Sequence, residues 1–257
     1  MKRKHFILVF SFAIAVVGLR AQQPAPTPPP AGRTVPSRVT GISISSVAGI
    51  PFSATVVIET QRTMHDGSVQ IRRTINLIAR DSRGRTHNER RSLMPESFHG
   101  SPPLIEIRIF DPQTRIRTYL DPVNLTGRRE VVPRQTTPAG STPDPSVLIE
   151  DLGTTMLNGL EANGTRRTTT VETAPGGSGG YIFVVDEIWH SAELRIDLLR
   201  HHTDPRSGEQ SVGLSAIKRE EPPAAMFEVP RNYKIVDAPT PPASAAGSDG
   251  TVGSSTP

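Results

Sequence analysis

Along Phe52 to Arg80 apolar and polar residues alternate, which is the period of a strand with one buried face and one wet face. The stretch is interrupted at Asp66-Gly67, a dipeptide favoured in two-residue hairpin turns because both positions accept positive φ. Such a turn pairs Met64 with Val69, Ile58 with Ile75, Val56 with Leu77 and Ala54 with Ala79 on one face. Thr63, Gln61 and Glu59 then meet Gln70, Arg72 and Thr74 on the other. A slip of one residue would carry a whole apolar set from one face to the other.

The same construction recurs down the chain. Ile105, Ile107 and Ile109 share a face and run into Asp111-Pro112-Gln113-Thr114, where proline suits the second position of a type I turn. Leu194, Ile196 and Leu198 alternate ahead of Asp204-Pro205-Arg206-Ser207-Gly208, and Val212, Leu214 and Ala216 follow it. With the weaker segments Val39 to Ser46, Arg85 to Leu93, Val147 to Met156, Thr165 to Thr173 and Tyr181 to His190, the pattern predicts ten to twelve antiparallel strands. Helical periodicity is confined to one turn at Pro222 to Phe227, where prolines are tolerated in an opening turn. The fold class is mainly β, a strongly curved antiparallel sheet of half-barrel form.

Outside this region the composition changes. Lys2-Arg3-Lys4, the apolar run Phe6 to Leu19 and the small residue Ala21 have the three-part layout of a secretory signal peptide. The run is too short for a permanent membrane span, which takes roughly 20 residues. The expected organisation is a signal peptide over 1–21, cleaved near Ala21/Gln22, a proline-rich disordered spacer over 22–38, a β-rich domain over 39–237 and a disordered tail over 238–257. A polar stretch over 133–145 marks a long loop within the domain. The destination is the periplasm or the exterior.

Export also changes the charge. Removing Lys2, Arg3, Lys4 and Arg20 takes the 29 basic residues to 25, against 25 acidic ones. A neutral mature chain gives no support to nucleic-acid binding. Cysteine is absent from the sequence, which excludes disulfides, thiolate metal sites and a lipidated cysteine.

Candidate chemistry is sparse. Gly176-Gly177-Ser178-Gly179-Gly180 matches the nucleophile-elbow spacing, but the next residues, Tyr181 to Val185, read as strand where that motif needs a helix. His190, His201 and His202 lie among Asp186, Asp197 and Asp204. With a turn at Ser191-Ala192, His201 falls opposite Ile182, roughly 25 Å from His190 at about 3.3 Å per residue. Adjacent His201 and His202 also point to opposite faces, so no metal, catalytic or cofactor site is assigned. Trp189 ends a strand that is apolar on both faces and is read as core or cavity lining.

The second half carries a further signal in its order of segments. A Trp-bearing strand, Asp186 to Leu194, leads to the Asp204–Gly208 turn, a strand over Val212 to Ile217, and the phrase Met226-Phe227-Glu228-Val229-Pro230 with Tyr233. This order resembles the ending of the outer-membrane lipoprotein carrier superfamily, half-barrel proteins that include the periplasmic carrier LolA and the regulator RseB. It is also similar to uncharacterised secreted proteins of soil bacteria. The carriers plug their half-barrel with amphipathic helices, and no such helix is legible here. An apolar sheet face must then be covered by a loop, a partner or a ligand.

Two functions follow as expectations. The first is a non-enzymatic binding or carrier protein for an apolar ligand, a lipid or acyl chain, lined by Val56, Ile58, Ile75, Leu77, Trp189, Ile196 and Leu198. The second is an envelope interaction or regulatory module that receives a protein partner. A continuous, roomy apolar cavity favours the first, and a collapsed interior with an exposed apolar edge favours the second.

Overall fold

A computed structural model describes residues 41–134, 144–173 and 179–237. Of the two compact units of the chain, Met1–Ser37 and Arg38–Pro257, the described residues belong to the second. The expected signal peptide and spacer, Ser178 with Gly176 and Gly177, most of the expected 133–145 loop and the expected C-terminal tail lie outside the described residues.

The described chain is mainly β, as the alternation predicts. Thirteen strands form one curled sheet that does not close on itself. They are β1 (Phe52–Thr63), β2 (Val69–Arg80), β3 (Thr86–Arg91), β4 (Met94–Pro95), β5 (Leu104–Asp111), β6 (Ile116–Asp121), β7 (Thr126–Val131), β8 (Val147–Leu157), β9 (Leu160–Glu172), β10 (Tyr181–Ser191), β11 (Ile196–Asp204), β12 (Gly208–Lys218) and β13 (Lys234–Asp237). The order is β13-β7-β6-β5-β3-β2-β1-β12-β11-β10-β9-β8, with the short β4 pairing β2. The one helical element among the described residues is a 3-10 turn, Ala224–Phe227, inside the segment expected to hold it.

Three expectations are corrected. The pairing is antiparallel except at the edge, where β13 runs parallel to β7; Lys234 returns the chain beside the start of β7, its N–H donating to Leu125 O at 2.9 Å, rather than through a hairpin. Residues 41–46 form no strand, and Ile42 and Ile44 instead pack onto the core. The third correction concerns the β1–β2 loop. Met64 N–H donates to Ser68 O (2.8 Å) and Gly67 N–H to Met64 O (3.0 Å), with Gly67 at φ 81. This is a three-residue loop in which a type I turn is completed by a left-handed glycine. One residue more in the loop pairs Ile58 with Thr74 and Val56 with Asn76. Ile75 and Leu77 therefore leave the face of Val56 and Ile58.

Two hydrophobic cores result. The first joins Phe52, Ala54, Val56 and Ile58 of β1 to Ile78, Val212, Leu214, Leu160, Ala162, Leu194, Ile196 and Leu198, with Ile42 laid on from the segment before β1. The second joins Ala79, Ile109 and Leu120 to Phe227, with Met226, Val229 and Tyr233 against it. Neighbouring residues of a strand face opposite ways, so Ile78 enters the first core and Ala79 the second. β2 is the strand where the sheet's covered face changes, and Ile78, Ala79, Arg80 and Asp81 are all buried in succession.

Arg80 seals the first core. Its guanidinium donates to the carbonyls of Ile50 (2.9 Å), Ser45 (2.9 Å) and Leu194 (2.7 Å) and lies 4.8 Å from the Phe52 ring centre. Those bonds tie the segment before β1 and the β10–β11 turn to the end of β2.

Candidate functional site

Directly paired residues in a ladder lie on one face, so the registers can be followed across strands. Gly153, Gly164, Trp189, Leu199, Gly213, Val57 and Ile75 form one such row from β8 to β2. Leu77 stands two residues beyond Ile75 on the same face. Val57, Ile75 and Leu77 are 37 %, 44 % and 36 % exposed. The strip continues toward the second core, since Ala79 follows Leu77 by two residues. The 3-10 turn covers that core, whereas Val57, Ile75 and Leu77 keep a substantial part of their surface exposed.

Glycines shape the strip. A Cβ on Gly164 would stand 2.6 Å from the Trp189 ring, so the indole lies flat against bare backbone. Leu199 approaches the corresponding point over Gly213 to 3.6 Å. Trp189 also packs against the first core, which makes it the join between interior and strip.

The next row carries charges of both signs, alternating over β8–β10 and again over β1–β2. It runs Glu150, Arg166, Glu187, His201, Ser211, Glu59, Arg73. Arg166 reaches Glu187 at 2.7 Å and Glu150 at 3.8 Å, and Arg73 reaches Glu59 at 2.6 Å and Glu96 at 3.3 Å. Hydrogen bonding to Glu187 and to Glu59 raises the pKa of Arg166 and of Arg73. The acid–histidine–hydroxyl order Glu187, His201, Ser211 is not a relay: His201 Nε2 lies 3.4 Å from Thr203 Oγ1 and 4.0 Å from Glu209, turned along its own strand.

The histidines sit closer than the sequence implied. The β10–β11 connection spans 192–195, with a bulge at Trp189/His190, so His201 faces Glu187 rather than Ile182. His190 Nδ1 is 2.8 Å from Asp197 and His202 Nδ1 is 2.7 Å from Asp186. The pairs are separate, the first exposed and the second half-buried, and among the described residues no group of three His, Asp or Glu side chains could hold a metal ion.

The seven residues expected to line a ligand site are divided. Val56, Ile58, Ile196 and Leu198 are packed together in the first core at 1–3 % exposure. Ile75 and Leu77 lie on the other face of β2, and Trp189 shares their row. Sequence reasoning missed Val57, Leu199 and Gly213. Their signal was the polar-face position of Val57, an apolar residue where the alternation calls for a polar one.

Comparison with known proteins finds no matching family model and no matching curated protein. Among solved structures there are partial likenesses. An uncharacterized conserved protein from Thermus thermophilus is 11 % identical with a TM-score of 0.43, covering 74 % of this chain and 91 % of that one. A chain of the Pseudomonas aeruginosa MucA/MucB complex is 14 % identical with a TM-score of 0.37, covering 72 % of this chain and 58 % of its own length. An outer membrane lipoprotein-sorting protein domain from Vibrio parahaemolyticus is 9 % identical with a TM-score of 0.19, covering 70 % and 90 %.

Proposed function

We propose that this chain is a non-enzymatic extracytoplasmic binding module that receives a protein on the strip of Trp189, Leu199, Val57, Ile75 and Leu77. The observation that carries this reading is the division of apolar side chains between the two faces. Val56, Ile58, Ile196 and Leu198, the candidates for lining a lipid cavity, cover one another. Val57, Ile75 and Leu77 remain partly exposed on the opposite face. A row of alternating charge beside an apolar strip suits a protein surface, because complementary charges fix register while the apolar strip supplies the desolvated centre. The extracytoplasmic setting is supported by the basic, apolar and small-residue order of the first 21 residues. Among the described residues no helix is long and apolar enough to cross a membrane.

The test is a double substitution, Ile75→Glu with Leu77→Glu, in protein produced in its own host. Both sites are exposed, so the melting temperature should hold to within the change expected of about 0.5 kcal/mol per surface site. Native mass spectrometry of the parent should show a bound protein, and the variant should lose it by at least about tenfold in affinity, or about 1.4 kcal/mol. A lipid in the parent spectrum, lost on Leu198→Gln before the domain unfolds, would establish the carrier reading instead.

A further inference from the structure

We infer that the free edge of β8 takes up an extended segment of the partner as an added strand, with a basic residue two positions from an apolar one; this rests on the protein-partner reading above. β8 ends the strand order among the described residues. Its hydrogen-bonding phase is fixed by Thr170 N–H donating to Ser146 O (2.9 Å) in a ladder that pairs Val147 with Thr169. In an antiparallel ladder bonded and non-bonded pairs alternate. Leu148 and Glu150 therefore bond inward to β9, while the N–H and C=O groups of Ile149 and Asp151 point away from the sheet. Leu148 and Ile149 are 60 % and 67 % exposed. A free edge with apolar side chains on both faces is a template for strand addition.

The edge also states the chemistry of its occupant. The alternating row that begins at Arg73 ends on β8 with Glu150, so the next position, on an added strand, calls for a cation. The neighbouring row on the same face ends with Leu148, beside Thr168 and Val185, and calls for an apolar or β-branched side chain. The extent is set as well. Beyond Asp151 the register shifts, Gly153 takes φ 76, and its N–H donates to Asp151 Oδ1 at 2.8 Å. That bulge breaks the edge at one end, and Val147 N–H is already donated to Asp144 O at 3.0 Å, so the free groups run from the Val147 carbonyl to Asp151. A second copy pairing β8 to β8 cannot supply the cation in any register, because β8 contains no Lys, Arg or His.

The experiment uses the full mature chain and short fluorescein-labelled peptides of alternating Thr, with Val and Arg placed two positions apart, against a counterpart with Glu for Arg. Fluorescence anisotropy should show the Arg peptide binding about tenfold or more tightly than the Glu peptide. Ile149→Pro removes an N–H that the sheet itself does not use, and should abolish binding with the melting temperature held. Glu150→Arg should invert the preference between the two peptides. Hydrogen exchange at Ile149 and Asp151 should slow with the Arg peptide bound, a readout that stands even if Ile149→Pro fails to fold. Equal binding of both peptides, no binding, or no change in Ile149→Pro overturns the inference. Self-association at the edge, removed by Ile149→Pro, would name a second copy as occupant and also overturn it. Peptide binding that survives Ile75→Glu/Leu77→Glu while the native partner is lost separates failure at the edge from failure at the strip.

Discussion

At Arg80 a charged side chain is placed where hydrophobic residues would be expected, and its three carbonyl acceptors explain why. Burial, and secondarily the charge of Arg195, lower its pKa. Three backbone carbonyls and the face of Phe52 replace the lost water. Arg80→Met keeps much of the volume but leaves the Ile50, Ser45 and Leu194 carbonyls without this donor. At about 1–3 kcal/mol for each group left unsatisfied, the variant should lose on the order of 3 kcal/mol in urea unfolding. Thr74 is the opposite case. It sits across from Ile58, and its hydroxyl is the only buried side-chain polar atom among the described residues without a protein partner. Thr74→Val removes a desolvated hydroxyl at nearly constant shape, and the midpoint of unfolding should rise by the equivalent of about 1 kcal/mol.

At the scale of an element, the β1–β2 hairpin shows how one loop residue sets two faces. Asp66 Oδ1 accepts from Ser68 N–H (2.9 Å) and Ser68 Oγ (2.6 Å), which holds the carboxyl below its ordinary value and bends the chain into Gly67. Gly67 then turns it back with positive φ. Gly67→Ala keeps the pairing but strains this position, and should lower stability by about 1 kcal/mol in thermal melts. The two-residue reading of Asp-Gly was chemically sound. It failed because Asp66 and Gly67 serve as the second and third residues of a longer loop, and propensity alone does not distinguish the two. Counting apolar residues did not help either, since Ile71, Ile75 and Leu77 make a more apolar set than Thr74, Asn76 and Ile78, the face that is buried.

At the scale of the whole molecule, the second core is held to the sheet by a polar clamp. His87 Nδ1 lies 2.7 Å from Met226 O in the 3-10 turn, and Nε2 lies 3.9 Å from Glu89, which also bonds Arg91. Burial pushes the Glu89 carboxyl upward, but the nearby His87 ring and the hydrogen bond and charge of Arg91 outweigh it and hold the group below its ordinary 4.5. A carboxylate with a depressed folded pKa contributes stability that is present above the unfolded value and is lost as pH falls through the folded value. The stability gap between wild type and Glu89→Gln should therefore be full at neutral pH and shrink as pH falls below about 4.5. Denaturant titrations across that range would measure it; a gap independent of pH would remove Glu89 from the clamp.

Much of the architecture was written into the alternation of residues. Period two specified strands, Asp-Pro and Gly positions specified turns such as Asp204 to Gly208, and Pro222 to Phe227 specified a helical turn, because each depends on local dihedral preferences and one-sided burial. The face assignment was not local. Val56 and Ile58 went to the core and Ile75 and Leu77 away from it because a three-residue loop shifted the register and because the segment before β1 and the 3-10 turn cover opposite faces of one sheet. Likewise, the charged row of Glu150, Arg166, Glu187, Glu59 and Arg73 joins residues far apart in sequence. Only strand order and register bring them into line, since each strand by itself fixes alternation but neither its neighbour nor which of its faces will be covered.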